Sequence, residues 1–329
     1  MDQVAVLGAG AWGTALAYHL ARHGVPASLW AWRPEQAQAL ARTRENPLLP
    51  GFRLPESVRV GHELEAALAS ASTVVFATPC HGLRDVATRA RPFVAPGAAL
   101  VSAAKGIEND TLRLTTEILT EVVGEGAPTV VLSGPSFARE VALGRPTNVV
   151  AASHDEQLAE VVQRRFSLGR LRVYTSTDPI GVQVAGALKN VIAIAVGASD
   201  GLGLGNNTRA ALITRGLSEI GRLAAARGGQ QRTMAGLAGM GDLILTCTGD
   251  LSRNRTVGFE LGRGRSLAEV LDNLGHVAEG VSTAKSAFDS AHRLGVELPI
   301  CGQVYNVLYR DKTPQQAVEE LLSRPLTRE

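Results

Sequence analysis

Short apolar runs alternate with amphipathic stretches through the first half of the chain, and this alternation predicts the secondary structure. The apolar runs are continuous, which is typical of parallel strands that are buried on both faces. They predict six strands, over 3–7, 27–32, 73–77, 98–102, 129–132 and 147–151. Helical periodicity occurs between several of them, at 12–22, 34–43, 82–90 and 110–123. Strands that alternate with helices in this way indicate a doubly wound α/β sheet.

The pattern changes at Asp178 and Pro179, which form a good helix start with Asp as the N-cap and Pro at the first helical position. Helical signals then dominate, over 179–196, 207–227, 231–240, 254–263, 266–274, 281–294 and 314–323. A length of 329 residues fits about two domains. We therefore expect a dinucleotide-type α/β domain over 1–178 and an all-α domain over 179–329.

Composition narrows the class of protein. Apolar residues make up 45% of the chain, and 33 Lys+Arg against 31 Asp+Glu leave a net charge of +2, which gives no reason to expect a nucleic acid or an anionic membrane as partner. The N-terminus lacks a basic region, and the most apolar stretch, 180–199, carries three polar residues at its middle, so we expect a cytoplasmic chain without stable membrane insertion. Three scattered cysteines and no Cys/His cluster predict neither a disulfide framework nor a metal site.

Residues 8–13 read Gly-Ala-Gly-Ala-Trp-Gly, directly after an apolar strand and at the start of a helix. In that context the pattern predicts a dinucleotide site. Gly8 permits the tight turn, Gly10 lets a pyrophosphate approach the backbone, and Gly13 allows close packing of helix and strand. The helix N-terminus supplies N–H groups to the phosphates. The alternative is a glycine-rich turn without a ligand.

The end of the second strand indicates which cofactor is bound. NAD-preferring domains place an acidic residue there for the ribose 2′-hydroxyl, but no acidic residue occurs between Asp2 and Glu35. The matching positions hold Trp32 and Arg33. A cation suits a 2′-phosphate and an indole can flank adenine, so we expect NADPH, with NADH possible. The alternative for Arg33 is a solvated surface arginine.

Only four of the 33 basic residues are lysines, and two of them lie where catalysis could use an amine. The helical neighbours of Lys189 are uncharged, so we expect a poorly solvated amine with a lowered pKa that can act as a general acid. Lys105 follows a strand and precedes Gly106, at the sheet edge where ligands bind. The alternatives are a snorkelling Lys189 and a plain loop lysine at 105.

A possible anion site follows in the helical half. Ser252 can cap a helix that begins with Arg253 and Asn254, and a helix N-terminus with a guanidinium makes a phosphate site. An ordinary basic helix start is the alternative. Asp242, a few residues earlier, could orient an amine such as Lys189, bind a substrate hydroxyl, or be a simple turn carboxylate.

Together these motifs give a resemblance that extends over nearly the whole chain. The sequence resembles the bacterial NAD(P)-dependent glycerol-3-phosphate dehydrogenases. The resemblance rests on seven motifs in order: Gly8-Ala-Gly-Ala-Trp-Gly13, Ala104-Lys-Gly106, Leu132-Ser-Gly-Pro-Ser-Phe-Ala138, Ala187-Leu-Lys-Asn190, Ala238-Gly-Met-Gly-Asp242, Leu245-Thr-Cys-Thr248 and Ser252-Arg-Asn-Arg255.

The resemblance implies a Rossmann-type domain, reversible reduction of dihydroxyacetone phosphate to sn-glycerol 3-phosphate for phospholipid synthesis, and a homodimer. It implies a catalytic set of Lys189, Lys105 and Asp242. Substrate contacts would come from these three and from Gly134, Ser136, Ser252, Arg253 and Asn254. Besides the glycines, the cofactor would contact Ala11, Trp12, Arg33, Lys105, Ala138, Arg253, Val277 and Glu279.

Two other functions stay open at this point. One is another two-domain reductase of a small hydroxy acid, such as a ketopantoate reductase or a β-hydroxyacid dehydrogenase. The other is a non-catalytic nicotinamide sensor that signals through its helical half.

Overall fold

A computed structural model describes residues 3–274 and 278–326. The chain forms two compact units. The first comprises residues 1–105 and 114–179, and the second comprises 106–113 and 180–329. The short segment 106–113 thus belongs to the second unit although it follows a strand of the first, which no local sequence pattern indicates.

The first unit is built on one eight-stranded sheet. Its strands are β1 (Gln3–Leu7), β2 (Ala27–Trp30), β3 (Val58–Gly61), β4 (Ala71–Phe76), β5 (Ala99–Ser102), β6 (Thr129–Ser133), β7 (Thr147–Ala152) and β8 (Leu171–Ser176). Their spatial order is β3-β2-β1-β4-β5-β6-β7-β8. Strands β1 to β6 are parallel, and β7 pairs antiparallel with β6 before β8 pairs parallel with β7.

Helices pack on both faces of this sheet. They are α1 (Ala11–Arg22), α2 (Pro34–Thr43), α3 (Leu64–Leu68), α4 (Cys80–Ala90), α5 (Thr115–Val123), α6 (Ala138–Ala142) and α7 (Glu156–Phe166). One core joins the sheet to α1, α2 and α7, and a second joins it to α3, α4 and α5. Two buried faces explain why the central strands are apolar throughout, and the doubly wound fold is confirmed.

In its described residues, the second unit is built from helices that are joined by turns and loops. Its α-helices are α8 (Pro179–Gly201), α9 (Gly205–Ala226), α10 (Asp242–Thr248), α11 (Arg253–Gly262), α12 (Leu267–Leu274), α13 (Glu279–Leu294), α14 (Pro299–Tyr309) and α15 (Pro314–Leu322). A 3-10 turn (Gln231–Ala235) and a π turn (Leu237–Gly241) precede α10. Helix α8 is long and apolar enough to cross a membrane, but 89% of its most apolar window is buried inside the protein.

Helices α8 and α11 are in backbone contact. A Cβ added at Gly258 on α11 would lie 1.9 Å from the Ile194 carbonyl oxygen of α8, and one added at Gly197 on α8 would lie 2.1 Å from the Arg255 carbonyl oxygen. Only glycine permits this approach. The contact fixes the beginning of α11 against the helix that carries Lys189.

All six predicted strands are present, but the sequence pattern misses β3 and β8. These are the two edge strands of the sheet. The residues of β8 alternate between buried and exposed at its start, and β3 is buried only at its first residue, so neither gives a continuous apolar run. The pattern also misses α3, α6, α7, α10 and α14.

Candidate functional site

The glycine turn after β1 has the geometry that its sequence predicts. Gly8 has φ +123°, and a Cβ there would lie 2.7 Å from the Ala77 carbonyl oxygen, at the end of β4. A Cβ at Gly13 would lie 1.9 Å from the carbonyl oxygen of Gly8, so the helix can pack this closely only with glycine. Gly10, by contrast, has open space around its Cβ position.

This turn fits a dinucleotide pyrophosphate. Gly10 is the N-cap of α1 and offers no side chain to the free N–H groups of the first turn, which include those of Ala11 and Trp12. The turn therefore presents backbone donors beside an unobstructed glycine, which is what a bound phosphate requires. At the end of β2, Trp32 is 49% exposed and Arg33 is exposed at the N-cap of α2.

A second group of predicted residues meets at the ends of β5 and β6. The Lys105 ammonium donates to the Gly134 carbonyl oxygen at 3.1 Å, and the Ser136 hydroxyl donates to the same oxygen at 2.9 Å. Gly134 has φ +131°, and a Cβ there would lie 3.0 Å from the Cα of Val149, so this position requires glycine. Ala138, the first residue of α6, is half-buried four residues further on.

Lys189 is buried in the second unit and is paired with Asp242. Only 6% of Lys189 and 1% of Asp242 are exposed, and the ammonium nitrogen lies 2.6 Å from Asp242 Oδ1. The ammonium also donates to the Thr246 hydroxyl at 2.7 Å, and that hydroxyl donates to the Asp242 backbone carbonyl at 2.6 Å. The expectation of an amine without a counter-charge is wrong, because its carboxylate comes from α10 and not from its own helix. Of the three roles open to Asp242, this contact matches the one that orients the amine.

The turns before α10 place Asp242. The sequence predicts one helix over 231–240, but the chain forms the 3-10 turn and then the π turn, with the Gly241 N–H donating to the Gly236 carbonyl at 3.1 Å. A Cβ at Gly239 would lie 2.3 Å from the Met234 carbonyl oxygen. The glycines allow this tight path, and short π segments are frequent at functional sites.

The predicted anion site is a capped helix start. The Ser252 hydroxyl accepts the N–H of Arg255 at 3.3 Å, which confirms its capping role. Asn254 is more constrained than expected, since its amide donates to Asn190 Oδ1 at 2.9 Å and its oxygen accepts the Gly280 N–H at 3.0 Å. Arg253 is exposed, and in the part of the chain that the structure describes it forms no ion pair.

Several residues of this region were not predicted. Arg255 pairs with the buried Asp200 at 2.9 Å, and Asp200 also holds Arg209 at 2.8 Å. Thr246 and Asn190 belong here too. Thr246 lies in the motif Leu245-Thr-Cys-Thr248, and its i+4 spacing from Asp242 puts both on one helix face, but neither signal gave it a role.

Two predicted cofactor contacts follow α12 in the sequence, and a buried histidine lies on α1. Glu279, the first residue of α13, is half-buried, while Val277 lies outside the described residues. On α1, His19 is only 5% exposed, whereas His23 is exposed. Burial, with the neighbouring His23, lowers the pKa of His19 to about 4.

The first unit is a doubly wound sheet with a glycine-rich turn that fits a pyrophosphate, and the second is a helical unit with a buried lysine–carboxylate pair. This combination defines the class of pyridine-nucleotide-dependent dehydrogenases. Comparisons with known proteins specify the family. Residues 3–159 match the family model for the N-terminus of NAD-dependent glycerol-3-phosphate dehydrogenase, and residues 178–319 match the model for its C-terminus. The chain belongs to the NAD-dependent glycerol-3-phosphate dehydrogenase family.

Individual relatives agree over the full length. The chain is 52% identical to a glycerol-3-phosphate dehydrogenase [NAD(P)+] of Geobacter sulfurreducens, with 100% of this chain and 99% of the relative covered. It is 53% identical to the enzyme of that name from Geobacter metallireducens, covering 98% and 97%. The crystal structure of glycerol-3-phosphate dehydrogenase from Coxiella burnetii superposes with a TM-score of 0.95 at 40% identity and covers 98% of this chain and 99% of that one.

Proposed function

We propose that this protein catalyses the reversible reduction of dihydroxyacetone phosphate to sn-glycerol 3-phosphate with NAD(P)H, and that NADPH is the preferred cofactor. Family membership supports the reaction. The observation that carries the proposal in this chain is the buried Lys189 ammonium, which Asp242 and Thr246 hold in a fixed position. A positioned amine is what a ketone needs when its oxygen gains charge during reduction.

The chemistry divides between the cofactor and the protein. Bound NAD(P)H supplies the hydride to the carbonyl carbon of the substrate. Lys189 gives the proton from Nζ to the carbonyl oxygen, which completes the alcohol, and it takes the proton back in the reverse direction. Asp242 orients the amine and balances its charge, so it acts as a positioning residue with Thr246. Lys105 adds a second cation toward the substrate and the nicotinamide.

The substrate phosphate is the natural ligand of the α11 N-terminus. Arg253 is exposed there, and the helix dipole and first-turn N–H groups favour an anion. The Asn254 side chain also forms hydrogen bonds with Asn190 and Gly280. Its contribution to phosphate binding is therefore limited to its remaining side-chain N–H and to fixing the turn. Gly134 and Ser136 complete the substrate contacts. Binding energy from the phosphate would position the carbonyl.

The preference for NADPH rests on the end of β2. Trp32 and Arg33 take the place of the acidic residue that would hold a ribose 2′-hydroxyl. The remaining cofactor contacts would come from the glycine turn with Ala11 and Trp12, from Lys105, Ala138 and Arg253, and from Val277 and Glu279. NADH remains an accepted, weaker cofactor in this proposal.

The setting of the reaction is also part of the proposal. The product is the backbone precursor of glycerophospholipids, so we infer a cytoplasmic role in phospholipid synthesis. We also infer a homodimer. Large apolar side chains at Met240, Ile244 and Leu251 are 42%, 43% and 52% exposed, and the first two are spaced to share one helical face. Such side chains are a common basis for subunit contact.

The decisive experiment follows NADPH consumption with dihydroxyacetone phosphate. Lys189→Ala should retain NADPH binding and lose about 10²–10⁴ in kcat, because the acid is removed from the transition state. Lys285→Ala is the matched control, since that lysine pairs with Asp289 on a half-exposed helix face. Lys189→Ala turnover within about threefold of wild type would refute the role of the amine. Wild-type protein that binds NADPH but does not consume it would refute the enzymatic function.

A further inference from the structure

An arginine outside the predicted site lies against the predicted adenosine end of the cofactor site. The Arg89 guanidinium carbon, on the last turn of α4, lies 4.5 Å from the centre of the Trp32 ring and 5.9 Å from that of Trp30. The two indoles meet edge to face at 5.8 Å. Arg89 is exposed, and the spacing would allow Asp85, one turn earlier, to pair with it. Within residues 3–274 and 278–326, however, no carboxylate forms an ion pair with this guanidinium.

The sheet places this stack beside the phosphate turn. Strand β2 is the neighbour of β1, and the Gly8 N–H donates to the Trp30 carbonyl at 3.0 Å. Trp32 and Arg33 follow at the carboxyl end of β2, where doubly wound domains hold the adenosine ribose. Trp30 fixes the platform, because it is fully buried and its indole N–H donates to the His62 carbonyl at 2.7 Å. The Arg89 guanidinium is thus held in place by the two indole rings and not by an ion pair with a carboxylate.

We propose that Arg89 is a second determinant of 2′-phosphate recognition, and that it acts with Arg33 in selecting NADPH over NADH. The inference rests on the cofactor half of the proposed function. A guanidinium stacked on an indole keeps its charge and all its edge donors for an anion. Its planar fork can bind two phosphate oxygens at once. A cation neutralised by a carboxylate would have no such capacity left.

Fragments of the cofactor isolate this contribution without turnover. Isothermal titration calorimetry would compare 2′,5′-ADP with 5′-AMP, which differ in the 2′-phosphate. Arg89→Ala should weaken 2′,5′-ADP at least about tenfold, because a charge-assisted contact is lost. Binding of 5′-AMP should change less than about twofold, and Arg89→Lys should recover part of the loss. Arg84→Ala, on the same helix but paired with Glu121 at 2.9 Å, is the matched control and should change neither.

Kinetics then give a second readout. Arg89→Ala should raise the KM for NADPH and leave the KM for NADH and the kcat of both near wild type. An equal loss for both fragments would show a structural effect and overturn the proposal, as would no loss for either. Wild-type protein that binds 2′,5′-ADP no better than 5′-AMP would overturn it too. If dihydroxyacetone phosphate is not reduced while Arg89-dependent binding of 2′,5′-ADP persists, the proposed reaction fails and this inference stands.

Discussion

The pair of Lys189 and Asp242 allows a quantitative prediction about the stability of the helical unit. Removing one partner of a buried ion pair leaves an uncompensated charge and costs about 3–5 kcal/mol. With the two side chains 7% and 1% exposed and their charged atoms 2.6 Å apart, this pair belongs to that class. Lys189→Met and Asp242→Leu should therefore each lower the free energy of unfolding by about 3–5 kcal/mol. For a unit of this size that is a fall in Tm of roughly 6–20 °C.

The double variant separates charge from packing. With both charges replaced by apolar groups, no buried charge is left unpaired, and the Thr246 hydroxyl still donates to the Asp242 backbone carbonyl. The double variant should therefore lose less stability than either single variant. Urea unfolding followed by far-UV circular dichroism reports the helices of both units, so the transition of the helical unit is the part of the signal that tryptophan fluorescence does not follow. All three tryptophans lie in the first unit, so their fluorescence reports the other transition.

The result that would refute this reasoning is specific. If the double variant is destabilised by the full sum of the single effects, the two side chains do not interact energetically and the short distance has no thermodynamic meaning. If the single variants each lose less than about 1 kcal/mol, the amine is solvated in solution and the buried pair is not its resting state.

The remaining predictions test other parts of the molecule. The folded pKa of His19 is about 4 against an ordinary 6.5, so the unfolded state takes up a proton first as the pH falls. The free energy of unfolding should therefore fall by about 3 kcal/mol between pH 6.5 and 4, an effect that His19→Leu abolishes and a substitution of exposed His23 does not. Gly258→Ala should severely destabilise the helical unit because its methyl group meets a carbonyl of α8, whereas Gly302→Ala, with open space around it, should be neutral or slightly stabilising in thermal melts. Burial raises the pKa of the Cys247 thiol to about 12, so iodoacetamide should modify it only after unfolding, as mass spectrometry can show; rapid native labelling would contradict the burial.

Much of the first unit follows from local pattern, and the exceptions among the strands have physical causes. Central strands are apolar on both faces and are visible as runs, whereas β3 and β8 lie at the sheet edges and lose that signal. The antiparallel direction of β7 has no local signature, because strand direction depends on the connections and not on the residues of the strand. The glycine turn was predictable residue by residue, since Gly8 and Gly13 each meet a nearby backbone carbonyl oxygen that excludes a side chain.

The helical unit was less predictable because its key contacts join distant segments. The counter-charge of Lys189 lies 53 residues away, on a helix whose start depends on a π turn. Helical neighbours at three and four positions cannot report such a partner. The same limit applies to Asn254, whose amide is bound by Asn190 and Gly280 on two other helices. Residue types identified the candidates, but only the packing of helices decided how they are used.

The packing of α8 against α11 explains how Lys189, the proposed general acid, and the proposed phosphate site at the start of α11 keep a fixed separation. Lys189 lies on α8, and Ser252 caps α11, so their distance depends on how closely the two helices approach. Backbone meets backbone at Gly197 and Gly258, and interiors this tightly packed deform little. A substrate held by its phosphate at one helix would therefore present its carbonyl to the amine of the other without adjustable side chains between them. A misplacement of about 1 Å can cost about 10²-fold in rate, so the close contact at these glycines would serve catalysis as well as stability.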